Sequence, residues 1–138
     1  MQDDFGQCLV LNSRMAARAV TRRADRKLRP FGVTAAQFTI LTSLVALSGR
    51  SVTEMAEAIA MDRSTLSRNL DLLERKGMVG TQRAASGNGR MIALTEQGEK
   101  LVERMVPVWR QSQAELRETL SSPDFAALLT SLQQLARL

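Results

Sequence analysis

Residues 61–77 restrict the fold most, because their apolar and polar side chains recur with a helical period. One side of this segment carries three leucines at i, i+4 and i+7: Leu66, Leu70 and Leu73. Asp62 can cap the start of the helix, and Gly77 can end it in the left-handed conformation. The other side carries hydroxyl and arginine side chains, which suit a helix that reads DNA. An ordinary surface helix with a solvated face has the same pattern, so the neighbouring segments decide between a DNA-reading helix and a surface helix.

The segments on either side of residues 61–77 favour a winged helix-turn-helix. Ser51 and Glu54 are spaced as a capping box, which opens a short helix before a tight connection. After the leucine-striped helix, residues 79–83 and 90–94 are strand-like and enclose a small, turn-forming segment. This order predicts a β-hairpin wing beside a helix that enters the major groove. Two arginines flank the wing tip and can reach phosphates or a narrow minor groove: Arg83 and Arg90.

Helical segments also precede and follow this lobe. Residues 5–28 read as one helix with arginines at strict four-residue steps: Arg14, Arg18, Arg22 and Arg26. Thr34 and Gln37 form a second capping box, and Thr95 starts a long helix that runs to about Leu120. The last residues carry a wide apolar stripe: Phe125, Leu128, Leu129, Leu132 and Leu135. Terminal helices this apolar are unfavourable in water, and pairing with a second chain is the economical explanation.

Composition narrows the classes of function for this 138-residue chain. Lys and Arg number 19 against 14 Asp and Glu, and the isoelectric point near 10.6 favours polyanionic partners such as nucleic acid. With one cysteine and no histidine, the chain has no internal disulfide, no His/Cys metal cluster and no Ser-His or Cys-His catalytic pair. We therefore expect no enzyme, cofactor or metal. No apolar run approaches the ~18–20 residues that span a bilayer, so we expect no membrane partner and a cytoplasmic location.

The order of these segments resembles the MarR (multiple antibiotic resistance regulator) family of winged helix-turn-helix transcription factors over nearly the whole chain. Four stretches together carry the resemblance: Gly-Val-Thr-Ala-Ala-Gln-Phe at 32–38, Asp-Arg-Ser-Thr-Leu-Ser-Arg at 62–68, Leu-Glu-Arg-Lys-Gly-Met-Val at 73–79 and Leu-Thr-Glu-Gln-Gly at 94–98. The resemblance implies a mainly α fold with a small β-hairpin and an obligate homodimer of entwined terminal helices. It also implies a repressor that binds a pseudo-palindromic operator on double-stranded DNA and is released by a small ligand or by oxidation.

The resemblance also implies how the chain is divided. We expect one domain over residues 1–138, with dimerisation helices at 1–30 and 99–138 and a winged DNA-binding lobe at 33–98. One alternative function is an architectural protein that binds DNA without sequence preference, and the other is a winged-helix module that binds a protein partner and leaves DNA alone. The positive net charge and the Arg/Ser face of the predicted recognition helix argue against the protein-binding module.

Carried over by position, the resemblance assigns DNA contacts to the predicted recognition helix. Its front would hold Ser64, Thr65, Ser67 and Arg68, and Arg68 is the best candidate for a bidentate contact to guanine. Arg63 and Lys76 resemble phosphate anchors. Two of these assignments have local alternatives, because the Thr65 hydroxyl can bond to the first helical turn and Lys76 can compensate the helix dipole.

The wing departs from the family pattern. Where the family commonly carries Asp-x-Arg at the tip, this chain has Ser-Gly-Asn at 86–88, followed by Gly89 and Arg90. The acid that would orient the wing arginine is missing, and the extra glycines raise the entropic cost of ordering the tip on DNA. We therefore expect a weaker or broader DNA contact from Arg90.

Three hypotheses remain for how the protein senses a signal. Cys8 lies roughly where the organic-hydroperoxide-sensing members of the family have a reactive cysteine. Those members support their cysteine with tyrosines, and this chain has no tyrosine, so a buried structural thiol is the alternative. A cleft for an aromatic carboxylate could be lined by Arg14 and Arg18 with Trp109 as a wall, although a solvated arginine stripe and a core tryptophan are alternatives. The third hypothesis is that there is no effector.

Overall fold

The computed structural model describes residues 2–47, 49–83, 90–120 and 124–138. Its helices are α1 (Leu9–Leu28), α2 (Ala35–Leu47), α3 (Val52–Ala58), α4 (Arg63–Arg75), α5 (Glu96–Thr119) and α6 (Phe125–Leu135). Its strands are β1 (Arg50–Ser51), β2 (Val79–Arg83) and β3 (Arg90–Leu94), which form an antiparallel sheet in the order β1-β3-β2. The prediction of a mainly α fold with a small β-hairpin is confirmed. The predicted wing tip, residues 84–89, lies outside the described residues.

The chain folds as two compact units, Met1–Val102 and Glu103–Leu138. The first unit contains α1 to α4, the sheet and the start of α5, and the second contains the rest of α5 with α6. The domain boundaries expected above stay a prediction. None of the described helices combines the length and the apolar character that a membrane span requires.

The core of the first unit forms around the leucine stripe of α4. Leu66, Leu70 and Leu73 are 0%, 2% and 0% exposed, as their spacing predicts. Other fully buried side chains come from α2, α3 and the wing: Ile40, Leu41, Leu44, Met55, Val79 and Ile92. Burial of a leucine side chain contributes about 1.5–3 kcal/mol, so this stripe fixes which side of α4 faces inward.

The two predicted capping boxes are present. The Gln37 N–H donates to Thr34 Oγ1 at 3.2 Å, and the Thr34 N–H donates to Gln37 Oε1 at 3.1 Å. Ser51 and Glu54 make the same reciprocal pair at the start of α3. Such pairs satisfy amide donors that the first turn of a helix leaves without partners, so both helices begin where the sequence places them.

Two local predictions were wrong, and one short strand was not predicted. The first helix begins at Leu9 and not at residue 5, because Asp4 caps a separate short 3-10 turn and Cys8 takes an extended conformation. Asp62 occupies the N-cap position of α4, but its side chain makes no capping hydrogen bond. The sequence also gave no sign of β1, whose two residues pair with β3 opposite Ile92 and Met91.

The junction between α4, the wing and α5 depends on two neighbouring close approaches. Gly77 ends α4 with a φ of 76°, as predicted, and its carbonyl accepts a hydrogen bond from Thr95 Oγ1 at 2.5 Å. The same hydroxyl accepts the N–H of Gly98 at 3.1 Å and caps α5. The Gly98 backbone lies against the Met78 carbonyl, so a Cβ at position 98 would overlap that oxygen. Thr95 and Gly98 therefore fasten the start of α5 to the end of α4.

Replacing Gly98 with alanine should destabilise the fold. The added methyl group would meet backbone atoms of Met78 that cannot turn aside, and overpacking of this kind costs about 1–3 kcal/mol. Chemical denaturation followed by circular dichroism measures the loss in the free energy of unfolding. Gly80→Ala is the matched control, because a Cβ there meets nothing closer than Thr95 Cγ2 at 3.9 Å. Equal stabilities for the two variants would contradict the prediction.

Candidate nucleic-acid interface

A tight turn sets the start of α4. Ala60 has a φ of 50°, a left-handed conformation that costs an L-residue about 1–2 kcal/mol, and the Met61 N–H donates to the Ala56 carbonyl at 3.0 Å. Residues 59–62 connect the two helices, and α4 begins immediately afterwards at Arg63. The helix-turn-helix connection is therefore only four residues long.

The predicted DNA-contacting side chains of α4 occupy different positions around the helix. Arg63, Ser64 and Arg68 are exposed, while Thr65 and Ser67 are half-buried. At 100° per residue, Ser64 and Arg68 point opposite the buried stripe. Ser64 and Arg68 therefore share the accessible face, whereas Arg63 lies about 60° from Leu66 and is nearer the leucine side.

Arg68 is part of a local side-chain relay in the first turns of α4. The Thr65 hydroxyl donates to Asp62 Oδ2 at 3.3 Å and accepts from Arg68 Nη2 at 3.5 Å. Both bonds are long and exposed, so they bias the Arg68 side chain towards the start of the helix and do not lock it there. The local alternative for Thr65 is therefore observed, through the Asp62 side chain.

A buried polar contact fixes α4 against α2, and sequence reasoning missed it. Gln37 is only 6% exposed, and its Nε2 donates to Asn69 Oδ1 at 3.4 Å. Asn69 Nδ2 in turn donates to the Thr65 carbonyl at 2.9 Å. The sequence held one sign of this contact, since Asn69 lies inside a predicted helix. Asparagine has a low helix propensity, so at such a position its amide is expected to have a hydrogen-bond partner.

Two further residues connect elements around α2. Lys76 Nζ donates to the Gly32 carbonyl at 3.0 Å, which ties the end of α4 to the turn before α2. Asp25 Oδ1 accepts the Ala35 N–H at 2.7 Å, so a carboxylate on α1 satisfies the first turn of α2. Asp25 was absent from the predicted site. Lys76 has a structural partner that neither sequence interpretation had named.

The wing arginines have different surroundings. The side chain of Arg83 lies outside the description, and its backbone pairs with Arg90 across the hairpin. The Arg90 guanidinium faces the recognition helix, with Nη2 at 3.4 Å from Glu74 Oε2 and 3.9 Å from Asp71 Oδ1. Arg90 thus has two carboxylates of α4 beside it.

The predicted sensing residues are all exposed in the isolated chain. Cys8 is exposed beside the start of α1, so the chain does not bury its own thiol. Arg14 is exposed on α1, and Arg18 lines a shallow depression on the same helix. In the second unit, Trp109 is 45% exposed and lines a cavity of about 510 Å³. The other residues that line this cavity are Arg110, Gln113, Arg117, Phe125 and Leu129.

Charge and aromatic groups meet in the cavity of the second unit. The Arg117 guanidinium carbon lies 4.9 Å from the centroid of the Phe125 ring, a cation–π arrangement. Trp109 and Arg110 lie on α5 one turn before Gln113. Across the described residues, no group of His, Cys, Asp and Glu side chains could hold a metal ion.

Comparison with known proteins agrees with this geometry. A model of the MarR family matches residues 31–91. The chain is similar to the M. tuberculosis transcriptional regulator MosR in complex with DNA, with 32% identity, 95% coverage of both chains and a TM-score of 0.85. It is also similar to the transcriptional repressor CouR bound to a 23-mer DNA duplex, with 26% identity, 99% coverage of both chains and a TM-score of 0.86. The S. aureus MepR–DNA complex shares 27% identity over 94% of this chain and 98% of that chain, with a TM-score of 0.81.

Proposed function

Because the chain belongs to the MarR family of DNA-binding transcriptional regulators, we propose that it is a homodimeric repressor of a pseudo-palindromic operator. We propose further that a small aromatic anion releases it from DNA. The observation that carries the proposal is α4, whose leucines are buried while Ser64 and Arg68 lie exposed on the opposite face. Relatives with solved DNA complexes support the choice of partner, and CouR is described as a repressor.

Within the proposed complex, the residues of α4 divide into base-reading and phosphate-contacting groups. Arg68 is the base reader, since a guanidinium can donate two hydrogen bonds to the O6 and N7 of guanine. Arg63 lies in the first turn and contacts a phosphate, together with the nearby hydroxyls of Ser64 and Ser67. Lys76 combines a structural bond to Gly32 with an exposed position, so its phosphate contact is secondary.

Exposed apolar side chains support the proposed homodimer. The first turns of α1 and the segment before it expose Phe5, Leu9, Val10, Leu11 and Met15, at 45–67%. On α6, the exposed leucines recur at three-residue steps: Leu129, Leu132 and Leu135. A monomer seldom leaves such faces in water, and a second copy of the chain would cover them. Two recognition helices about 34–36 Å apart would then match one turn of operator DNA.

The cavity in the second unit supports the proposed effector class. Trp109 and Phe125 offer ring faces, and Arg110 and Arg117 offer guanidinium groups for a carboxylate or phenolate. An alternative signal is oxidation of Cys8, favoured by the exposure of its thiol. The alternative of a protein-interaction module without DNA binding has no specific contact of the described residues in its favour.

Removal of the Arg68 side chain should weaken operator binding selectively. We expect Arg68→Ala to cost about 1–3 kcal/mol on operator DNA and much less on random DNA, because it removes contacts to base edges. Fluorescence anisotropy with both duplexes at several salt concentrations measures the effect. Arg137→Ala, an exposed arginine near the C-terminus, is the control for the loss of one charge. Equal losses on the two duplexes would remove Arg68 from the base-reading set.

A charge on the apolar face of α6 should dissociate the dimer. Leu132→Glu would place a carboxylate where the proposed partner chain covers the leucine, and sedimentation velocity should show a monomer. Operator affinity should fall by about 100-fold or more, because the two lobes would no longer bind together. The matched control is Gln133→Glu, which adds the same charge at the next exposed position of the helix. A monomeric parent protein, or a dimeric Leu132→Glu variant, would contradict the proposed interface.

An aromatic acid should bind beside Trp109 and release operator DNA. Because Trp109 is the one tryptophan of the chain, titration with 2-hydroxybenzoate should change its fluorescence at the concentrations that release DNA. Arg110→Ala should weaken this binding about tenfold or more, whereas Arg137→Ala should not. Release without a fluorescence change would place the ligand elsewhere. If only cumene hydroperoxide released DNA, and Cys8→Ser abolished that response, oxidation would be the signal instead.

A further inference from the structure

We propose that Glu74 fixes the wing to the recognition helix, and that Arg90 acts as a positioning residue through Glu74 and not as a ligand of DNA. This inference rests on the proposed DNA-reading function of α4. It concerns the wing, whose orientation that function leaves unassigned.

A single carboxylate connects three elements. Glu74 lies in the last turn of α4, and its Oε1 accepts a hydrogen bond from Thr81 Oγ1 on β2 at 3.0 Å. Its Oε2 lies 3.4 Å from Arg90 Nη2 at the start of β3. Asp71, one turn earlier on α4, is 3.9 Å from the same nitrogen. Both strands of the wing are therefore held by the same side chain of the helix.

The strand register explains why these groups converge. Thr81 pairs with Ile92 and Arg83 with Arg90, so the side chains of 81, 90 and 92 leave the hairpin on one face. Ile92 is completely buried, which marks that face as the inner one. Thr81 and Arg90 form the polar edge of this inner face, where they meet the carboxylate of Glu74.

Electrostatics favour a positioning role for Arg90. To contact a phosphate, its guanidinium would have to leave two carboxylates, Asp71 and Glu74, unpaired beside the DNA polyanion. In its observed place it neutralises part of their charge and holds the wing at one angle to α4. About half of its side chain is exposed, so the contact contributes little to folding and acts mainly on orientation.

Preorganisation gives this contact an effect on DNA affinity. A wing that is already oriented pays less conformational entropy when DNA binds than a wing that must be ordered during binding. The tip has no acid of its own at residues 86–88, so the orienting charge comes from α4. Loss of Glu74 should therefore weaken binding only to DNA long enough to reach the wing.

The two roles of Arg90 predict opposite effects of Glu74→Gln. If Arg90 is a DNA ligand, removal of the neighbouring negative charge frees it and raises operator affinity. If Glu74 positions the wing, the same variant lowers operator affinity by about three- to tenfold. Glu118→Gln removes an exposed acid of α5 and is the charge-matched control.

The experiment uses the full chain and measures fluorescence anisotropy on operator DNA, on random DNA and on an operator shortened at both flanks. We expect Glu74→Gln and Arg90→Ala to lose similar operator affinity, and the double variant to lose no more than either single variant. On the shortened operator, all three variants should bind as tightly as the parent protein. The salt slope should be unchanged by Arg90→Ala, whereas loss of a phosphate contact would lower it by about one. The exchanged pair, Glu74→Arg with Arg90→Glu, should recover most of the affinity. Circular dichroism melting checks that each variant is folded.

Defined results would overturn the inference. Arg90 would be assigned to DNA instead if Glu74→Gln left operator affinity unchanged or raised it. The same conclusion would follow from additive losses in the double variant, or from a salt slope lowered by about one in Arg90→Ala. These results are distinguishable from failure of the proposed function. If the proposed function were wrong, the parent protein would show no preference for operator over random DNA, or Arg68→Ala would leave the preference intact.

Discussion

Removal of three leucines from water determines the orientation of α4, and the proposed interface depends on that orientation. Leu66, Leu70 and Leu73 are at most 2% exposed, and turning the helix by one residue would bring polar side chains into the core. The same rotation that buries them directs Ser64 and Arg68 outwards. The direction of this face therefore follows from the packing of α4.

Hydrophobic packing fixes the rotation of α4 but leaves its exact placement loose, and polar contacts restrict it further. The amide of Gln37 reaches Asn69 in the middle of the helix, while Lys76 bonds to the Gly32 carbonyl at its end. These contacts hold α4 to α2 and to the turn before it, and Glu74 does the same for the wing. Directional bonds suit this task because a few tenths of an ångström decide whether a side chain reaches a base edge.

The sequence predicted those features that depend on neighbours along the chain. The capping boxes at Ser51 and Thr34, the end of α4 at Gly77 and the hairpin strands all follow from patterns a few residues long, and they are confirmed. The contact of Gln37 with Asn69 spans 32 positions of the chain, and the contact of Lys76 with Gly32 spans 44. Glu74 and Arg90 are 16 positions apart, and no local sequence pattern contains any of these three contacts. Arg90 illustrates best what the sequence alone could not predict. The missing acid at the wing tip was visible in the sequence, whereas the contact of Arg90 with acids on α4 depends on the register of the hairpin.

The distribution of charge separates attraction to DNA from discrimination between sequences. Residues 62–76, which span α4 and its caps, carry four basic and three acidic side chains and are nearly neutral, whereas α1 carries six basic residues and one acid. General attraction to phosphate scales with net charge and acts over about 8–10 Å at moderate salt, so the nearly neutral segment of α4 contributes little of it. A nearly neutral α4 gains little from contact with arbitrary DNA. In the proposed complex its binding energy comes mainly from groups whose geometry fits, which favours the operator over other sequences.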